Sequence, residues 1–296
     1  MDRIYYISFS IFRFIVRKTP DFIQQPILNS LAHLAYLIDK RHRKIAFTNL
    51  DFAFEDSLSK EEKIKIVKRC YKNLVYNLAD FVKNQGISKE ELKQKVKVKN
   101  EHYVKEAEKS GKKIIFITAH YGNWELTGLY TGAFYGPITT VGRVLDSKVM
   151  NEILKKNREQ FDIKIVDKMG AMKTLIKDIK SGRRLGLLVD QNTASNEGEL
   201  IEFFGKEARH TPAAAIIARK FDALIIPVFI TTNDFKKYTL TFYKPIETPK
   251  TQNAKEDILK SVQEQAKITE KVIREKPEEW FWFHRRWKNR YEHIYK

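Results

Sequence analysis

One cysteine, Cys70, in 296 residues leaves no intramolecular disulfide and no Cys-rich zinc module. Its place in a helical-looking run makes it a small core residue rather than a nucleophile. With only 12 glycines and 8 prolines there is no long flexible or collagenous tract. Several signatures are also missing. The chain has no GxxxxGK[ST], no GxGxxG, no HExxH and no GxSxG, which disfavours a P-loop NTPase, the usual dinucleotide fold, a zincin and the common serine hydrolase. No metal-ligand spacing is visible. A long apolar run is lacking too. Ile4–Val16 is interrupted by Arg13 and would be about 20 Å long as a helix, whereas a bilayer core of roughly 30 Å needs about 20 apolar residues. Arg17, Lys18, Thr19 and Pro20 follow it, not the small residues of a signal cleavage site.

What is present in excess is positive charge. Lys and Arg number 55 against 37 Asp and Glu, a net charge of +18. Such a chain suits a negatively charged partner: nucleic acid, an anionic membrane, a phosphorylated substrate or an acidic protein. The alternative is a solvated, lysine-rich surface. A second apolar stretch, Pro26–Ile38, runs into Lys40, Arg41, His42, Arg43 and Lys44. Apolar side chains beside cations fit a membrane interface. A pair of buried helices in an ordinary core fits the same pattern.

Ser59–Glu62 and Ser88–Glu91 are capping boxes, which predict a helix to about Val82 and a short one after Gly86. The first hundred residues therefore read as helical. Strand-like runs then follow at Lys113–Ala119, Ile138–Val141, Ile163–Val166, Leu185–Val189, Leu224–Ile230 and Tyr238–Tyr243. Helical stretches are predicted near 124–133, 147–160, 170–181, 212–221 and 254–275. This alternation predicts an α/β fold: a helical N-terminal region, then a mostly parallel sheet flanked by helices.

One cluster suggests chemistry: Ala119-His120-Tyr121-Gly122-Asn123-Trp124-Glu125. Of seven histidines, only His120 directly follows an apolar β run. Sites in open α/β sheets gather at the carboxyl ends of strands. On one continuous helix, positions five apart would lie about 140° apart. They meet if His120 ends the strand, Gly122 turns the backbone and Glu125 sits in the first turn of the next helix. Glu125 is then expected to hold one imidazole nitrogen and leave the other as a general base. That is the acid–base half of a triad, with a substrate hydroxyl as nucleophile. The bland alternative is a structural histidine near a glutamate.

HYGNWE resembles the His-x4-Asp/Glu motif of lysophospholipid-type acyltransferases, and in particular the bacterial lipid A late acyltransferase branch, where the acid is Glu. The resemblance extends to the N-terminal apolar segment, the basic stretch leading to Asn49-Leu50, the α/β core and the closing Trp280-Phe-Trp-Phe-His-Arg-Arg-Trp287-Lys288. It implies a glycerol-3-phosphate acyltransferase-like fold, with residues 1–45 as membrane-associating helices and 46–296 as the acyltransferase domain. It implies catalytic His120 and Glu125, with Arg158, Asp190 and, less directly, Arg143 toward substrate. Arg158 and Arg143 suit a phosphate or a developing oxyanion. It further implies an acyl-carrier-protein thioester as donor, a phosphorylated lipid A precursor as acceptor, the cytoplasmic face of the inner membrane as location, and no metal, cofactor or nucleic acid. Gln191–Leu200 and the Gly142-Arg143 turn depart from the family pattern. Two other readings stay open here. One keeps the enzyme but changes the acceptor to a lysophospholipid or another glycolipid. The other is a nonenzymatic basic module, in which Trp280–Arg290 binds nucleic acid or membrane.

Overall fold

The structure is a computed structural model that describes residues 2–143, 147–194 and 196–296; the side chains of residues 2–5, including Ile4 and Tyr5 of the first apolar run, lie outside the description. The N-terminal third is helical: α1 (Asp2–Lys18), α2 (Asp21–Ile38), α3 (Lys40–Phe54), α4 (Lys60–Lys83) and α5 (Lys89–Lys95). Both capping boxes form, with the Ser59 and Ser88 side chains accepting from the backbones of Glu62 and Glu91. Then come β1 (Val96–Lys99), α6 (His102–Lys109), β2 (Ile114–Thr118), α7 (Trp124–Tyr135), β3 (Ile138–Gly142), α8 (Lys148–Arg158), β4 (Ile163–Asp167), α9 (Ala171–Lys180) and β5 (Arg184–Leu188). A hairpin of β6 (Glu199–Phe203) and β7 (Lys206–His210) precedes α10 (Ala213–Phe221), β8 (Leu224–Thr232), β9 (Tyr238–Phe242), β10 (Ile246–Glu247) and α11 (Ala254–Glu275).

The main sheet has eight strands in the order β1-β9-β8-β2-β5-β3-β4, with β10 added on β8. All neighbours are parallel except β8 with β9 and β8 with β10. β2 lies at its centre, and every residue of its Ile-Ile-Phe-Ile-Thr run is buried. Ile115 and Ile117 pack with α9 and α10 on one face, while Ile114 and Phe116 pack with α7 and β8 on the other. A strand covered on both faces needs such a continuous apolar run.

The expected α/β fold is the one observed, with additions. β1 reads Val-Lys-Val-Lys, an alternation too polar to stand out, yet it pairs with β9 at the sheet edge. The β6–β7 hairpin turns at Phe204-Gly205, both at positive φ, as a two-residue primed turn requires. Tyr238–Phe242 runs antiparallel to its neighbour β8.

The first two helices pack against α4. Val16 and Leu28 contact Tyr76, Ala79 and Val82. The Gln24 amide donates to Val16 O at 2.7 Å, and Arg17 donates to the carbonyls of Val82 and Gln85. Their other face carries exposed Ile11, Phe14, Phe22, Leu34 and Ile38, continued on α4 by Leu74 and Leu78. Among the described residues no helix is long and apolar enough to cross a membrane.

Candidate active site

His120 stands two residues beyond β2 and Asp190 two residues beyond β5. These strands are parallel neighbours with Thr118 opposite Leu188, and Val189 N donates to Thr118 O at 3.0 Å. The register therefore brings 120 and 190 side by side at the carboxyl ends of the strands. There His120 Nδ1 lies 2.9 Å from Asp190 Oδ1. The other carboxylate oxygen accepts from Trp280 Nε1 at 2.8 Å. Burial pushes the Asp190 carboxyl up, but the imidazole beside it and the indole hydrogen bond outweigh this and hold it below the ordinary carboxylate range. An ionised Asp190 accepts, so Nδ1 carries a proton, and in the neutral ring the lone pair is then on Nε2. The ring lies against the Trp124–Phe281 pair, with centroids 5.3 and 6.2 Å away and the two aromatic centroids 6.0 Å apart. It remains partly open, at 24% side-chain exposure against 3% for Asp190.

Between His120 and α7 the chain turns through Gly122 at φ +56°, where an added Cβ would lie 2.0 Å from Ile230 O. No other residue fits that turn. Asn123 then caps α7, its side chain accepting from Leu126 N. The turn is held from outside as well. Asn77 donates to Gly122 O at 2.7 Å, and Asn123 donates to Asp80 Oδ2 at 2.9 Å. Asp80 also receives Tyr238 OH at 2.6 Å and pairs with Lys95 at 2.9 Å. From the C-terminal side, Phe281 N donates to His120 O and Gly122 N to Glu279 O, at 2.9 and 2.8 Å. Asn49 fastens that C-terminal segment in turn, donating to the carbonyls of Trp282 and His284.

Glu125 does sit in the first turn of α7, but it does not touch His120. Its carboxylate faces Arg158 at the end of α8, which donates from Nε at 2.8 Å and from Nη2 to the second oxygen. Burial works against the Arg158 charge, but the hydrogen bonds and charge of Glu125 outweigh it and raise its pKa. The expected His120–Glu125 contact is thus replaced by two pairs, His120–Asp190 and Glu125–Arg158. The reason is geometric. A residue one turn into α7 points across the helix surface toward α8, whereas the neighbouring strand end reaches the imidazole directly. Arg158 and Asp190, expected to face substrate, are each engaged by a protein partner. Gly142 lies beside Arg158, an added Cβ coming 3.6 Å from Nη1. Arg143 follows it as an exposed residue past β3, next to residues 144–146, which lie outside the described part.

The reading of residues missed Trp280, Asn77 and Asp80 as supports. The usable signal was register: two parallel strands, each ending in an apolar residue and then a titratable one. In the C-terminal segment Trp280, Trp282, Arg286 and Trp287 are buried, while Phe281, His284 and Arg285 are partly exposed.

The family described as bacterial lipid A biosynthesis acyltransferase matches residues 3–289. The chain is 23% identical over 267 residues to a lipid A biosynthesis lauroyltransferase of Escherichia coli, covering 89% of this chain and 85% of that protein. It is 21% identical to a lipid A biosynthesis palmitoleoyltransferase of the same organism, over 85% of this chain and 80% of that one. A phosphatidylinositol mannoside acyltransferase of Mycolicibacterium smegmatis is 24% identical over 40% of each chain.

Proposed function

The chain belongs to the bacterial lipid A biosynthesis acyltransferase family and is an O-acyltransferase of lipid A or a related glycolipid; on that premise we propose that His120, oriented by Asp190, is the general base that moves a fatty acyl group from an acyl-carrier-protein thioester to a hydroxyl of a lipid A precursor. One observation carries this reading: the 2.9 Å contact that puts a proton on Nδ1 and so makes Nε2 the atom to take the substrate proton.

In the proposed reaction, the acceptor hydroxyl gives its proton to Nε2 as its oxygen attacks the thioester carbonyl carbon. Ionised Asp190 stabilises the imidazolium that forms. The tetrahedral adduct collapses, the C–S bond breaks, and the thiolate takes the proton back from His120. An ester and a free thiol result. Glu125 is a positioning residue in this scheme, holding the Arg158 guanidinium beside Gly142 at the site, where a cation suits a phosphorylated acceptor. The charge of +18 suits both an acidic carrier protein and an anionic lipid surface. The apolar face of α1, α2 and α4 supports peripheral attachment to the cytoplasmic face of the inner membrane.

The test is to incubate the purified protein with acyl-carrier-protein thioesters and membrane lipids and to identify the product by mass spectrometry. An acylated lipid A precursor is expected. His120→Ala should lower the rate about 10²–10⁴-fold with an unchanged melting temperature. Near-normal transfer by that variant overturns the mechanism. Acylation of a phosphatidylinositol glycolipid instead overturns the acceptor alone.

A further inference from the structure

The lone pair of His120 is not empty space in this fold. Gln191 Nε2 lies 3.3 Å from His120 Nε2. With Asp190 on Nδ1, the base nitrogen can only accept, so the group facing it is the amide NH2 of Gln191. An acceptor hydroxyl that hydrogen-bonds Nε2 must take the place this amide now occupies. The backbone around Gln191 does not have to move for that. Val189 N is bound to Thr118 O, Asn192 N to His284 Nε2 at 3.0 Å, and Asn289 donates to Thr193 O. The half-exposed side chain alone turns, about a pivot anchored on both sides.

The released amide is then beside the reacting carbon. In the tetrahedral adduct the oxyanion is attached to the same carbon as the oxygen held at Nε2, so it lies one carbon away from the place the amide has left. Several other donors at this spot are already committed. Tyr121 N serves Ala119 O, Gly122 N serves Glu279 O and Phe281 N serves His120 O. Trp280 Nε1 is on Asp190, and Arg158 Nε and Nη2 are on Glu125.

We propose that Gln191 is a catalytic residue of this site: its carboxamide caps the base in the resting enzyme and donates to the thioester oxyanion once the acceptor hydroxyl displaces it. The inference rests on the general-base role of His120. Proton balance is unchanged, since the amide lends a hydrogen bond and exchanges no proton. The substrate hydroxyl is recognised by displacing a neutral donor rather than by filling a vacant contact, which favours an alcohol over an apolar group at this position.

The experiment compares wild type, Gln191→Ala, near-isosteric Gln191→Glu and His120→Ala. The probe is a lauroyl thioester of acyl carrier protein, with and without a phosphorylated glycolipid extract. Thiol release gives kcat, KM and their pH profiles. Both Gln191 variants should lose about 10²–10³-fold in kcat, the usual cost of one oxyanion donor, with KM for the thioester little changed. Gln191→Glu should also move the acidic limb of kcat/KM to higher pH, because an anion in place of an N–H donor favours imidazolium. That shift reports only that residue 191 faces the imidazole; the loss of kcat at unchanged KM is what reads the donor role. Melting temperatures equal to wild type show that the site still folds. If His120→Ala is inactive while both Gln191 variants keep wild-type kcat, or raise KM alone, the Gln191 role is overturned and the general base stands. An active His120→Ala overturns both.

Discussion

The two ends of the chain are written in similar residues and meet opposite fates. Each mixes aromatics with Arg and Lys. At the N-terminus Phe14 is 67% exposed, Phe22 77% and Ile38 69%; near the C-terminus Trp282 is 0% and Trp287 1% exposed. The difference lies in what each end packs against. α1 and α2 pack on α4, α8 and α3, and among the described residues their outward apolar side chains are exposed. Residues 280–287 enter the main core between α3, α4, α11 and the β6–β7 hairpin, and their backbone bonds to the motif turn at His120 and Gly122. Composition alone therefore cannot separate an attachment surface from a structural strap. On the proposed mechanism the C-terminal segment supports the base directly, through Trp280 on Asp190, whereas the N-terminal helices pack on α4, α8 and α3.

The largest effect expected from this contrast is on stability. Trp282→Ala empties a fully buried site next to Phe54, Phe204 and Trp280 and removes the donor to Pro277 O. A loss of about 3–5 kcal/mol is expected, read as a fall in denaturation midpoint. Phe22→Ala on the other end should stay within about 0.5 kcal/mol. Equal losses at the two sites would abolish the distinction.

An effect of comparable size should follow pH, and between pH 7 and 5 it is carried by His284 and His210, which lies against Arg286. Burial pushes His284 down to about 4, against the opposing pull of the Asp190 charge. Burial, helped by Arg286, pushes His210 down to about 3. Both are thus neutral in the fold, whereas in the unfolded chain they protonate near 6.5. Between those limits the unfolded state binds more protons, so stability falls as the pH falls below about 6.5 and the loss levels off near the folded values. Each histidine contributes a slope of about 1.4 kcal/mol per pH unit in that window. Midpoints measured from pH 7 to 5 check it, and a flat profile there would show that these rings are charged or reachable by water. Asp190 acts in the same direction, at lower pH. Its depressed carboxyl stabilises the fold above its unfolded value, and that contribution is lost only at far lower pH.

Much of the architecture was legible because the signals were local. Ser59 and Ser88 with their glutamates gave two helix starts, and apolar runs such as Ile114–Thr118 gave the central strands. β1 and the β6–β7 hairpin escaped because Lys97, Lys99, Glu199 and Glu202 break the apolar pattern, and pairing supplies what the side chains do not advertise. At the site, His120 was legible from its place after a buried strand. Its partner was not, because spacing along the chain favours Glu125, while the contact depends on strand register seventy residues away. Trp280 was quoted in the sequence as part of a terminal signature, yet its bond to Asp190 is a fact of packing alone.

The smallest effect on stability, and the sharpest on location, belongs to the N-terminal face. Ile11, Phe14, Phe22, Leu34, Leu74 and Leu78 form an exposed apolar surface, and Arg41 and Lys44 lie at the start of the next helix. On the membrane reading, Phe14→Ser combined with Phe22→Ser should leave the melting temperature almost unchanged, because neither side chain has core neighbours to lose. Binding to anionic vesicles should weaken markedly, since burying a large apolar side chain is worth about 1.5–3 kcal/mol. High salt should release only part of the wild-type protein, because screening weakens the cations but not the apolar insertion. Transfer to a short soluble acceptor should survive the double substitution better than transfer to the full lipid. Wild-type protein that floats free of vesicles at low salt would instead return this face to ordinary surface, and the two ends of the chain would then differ in burial but not in purpose.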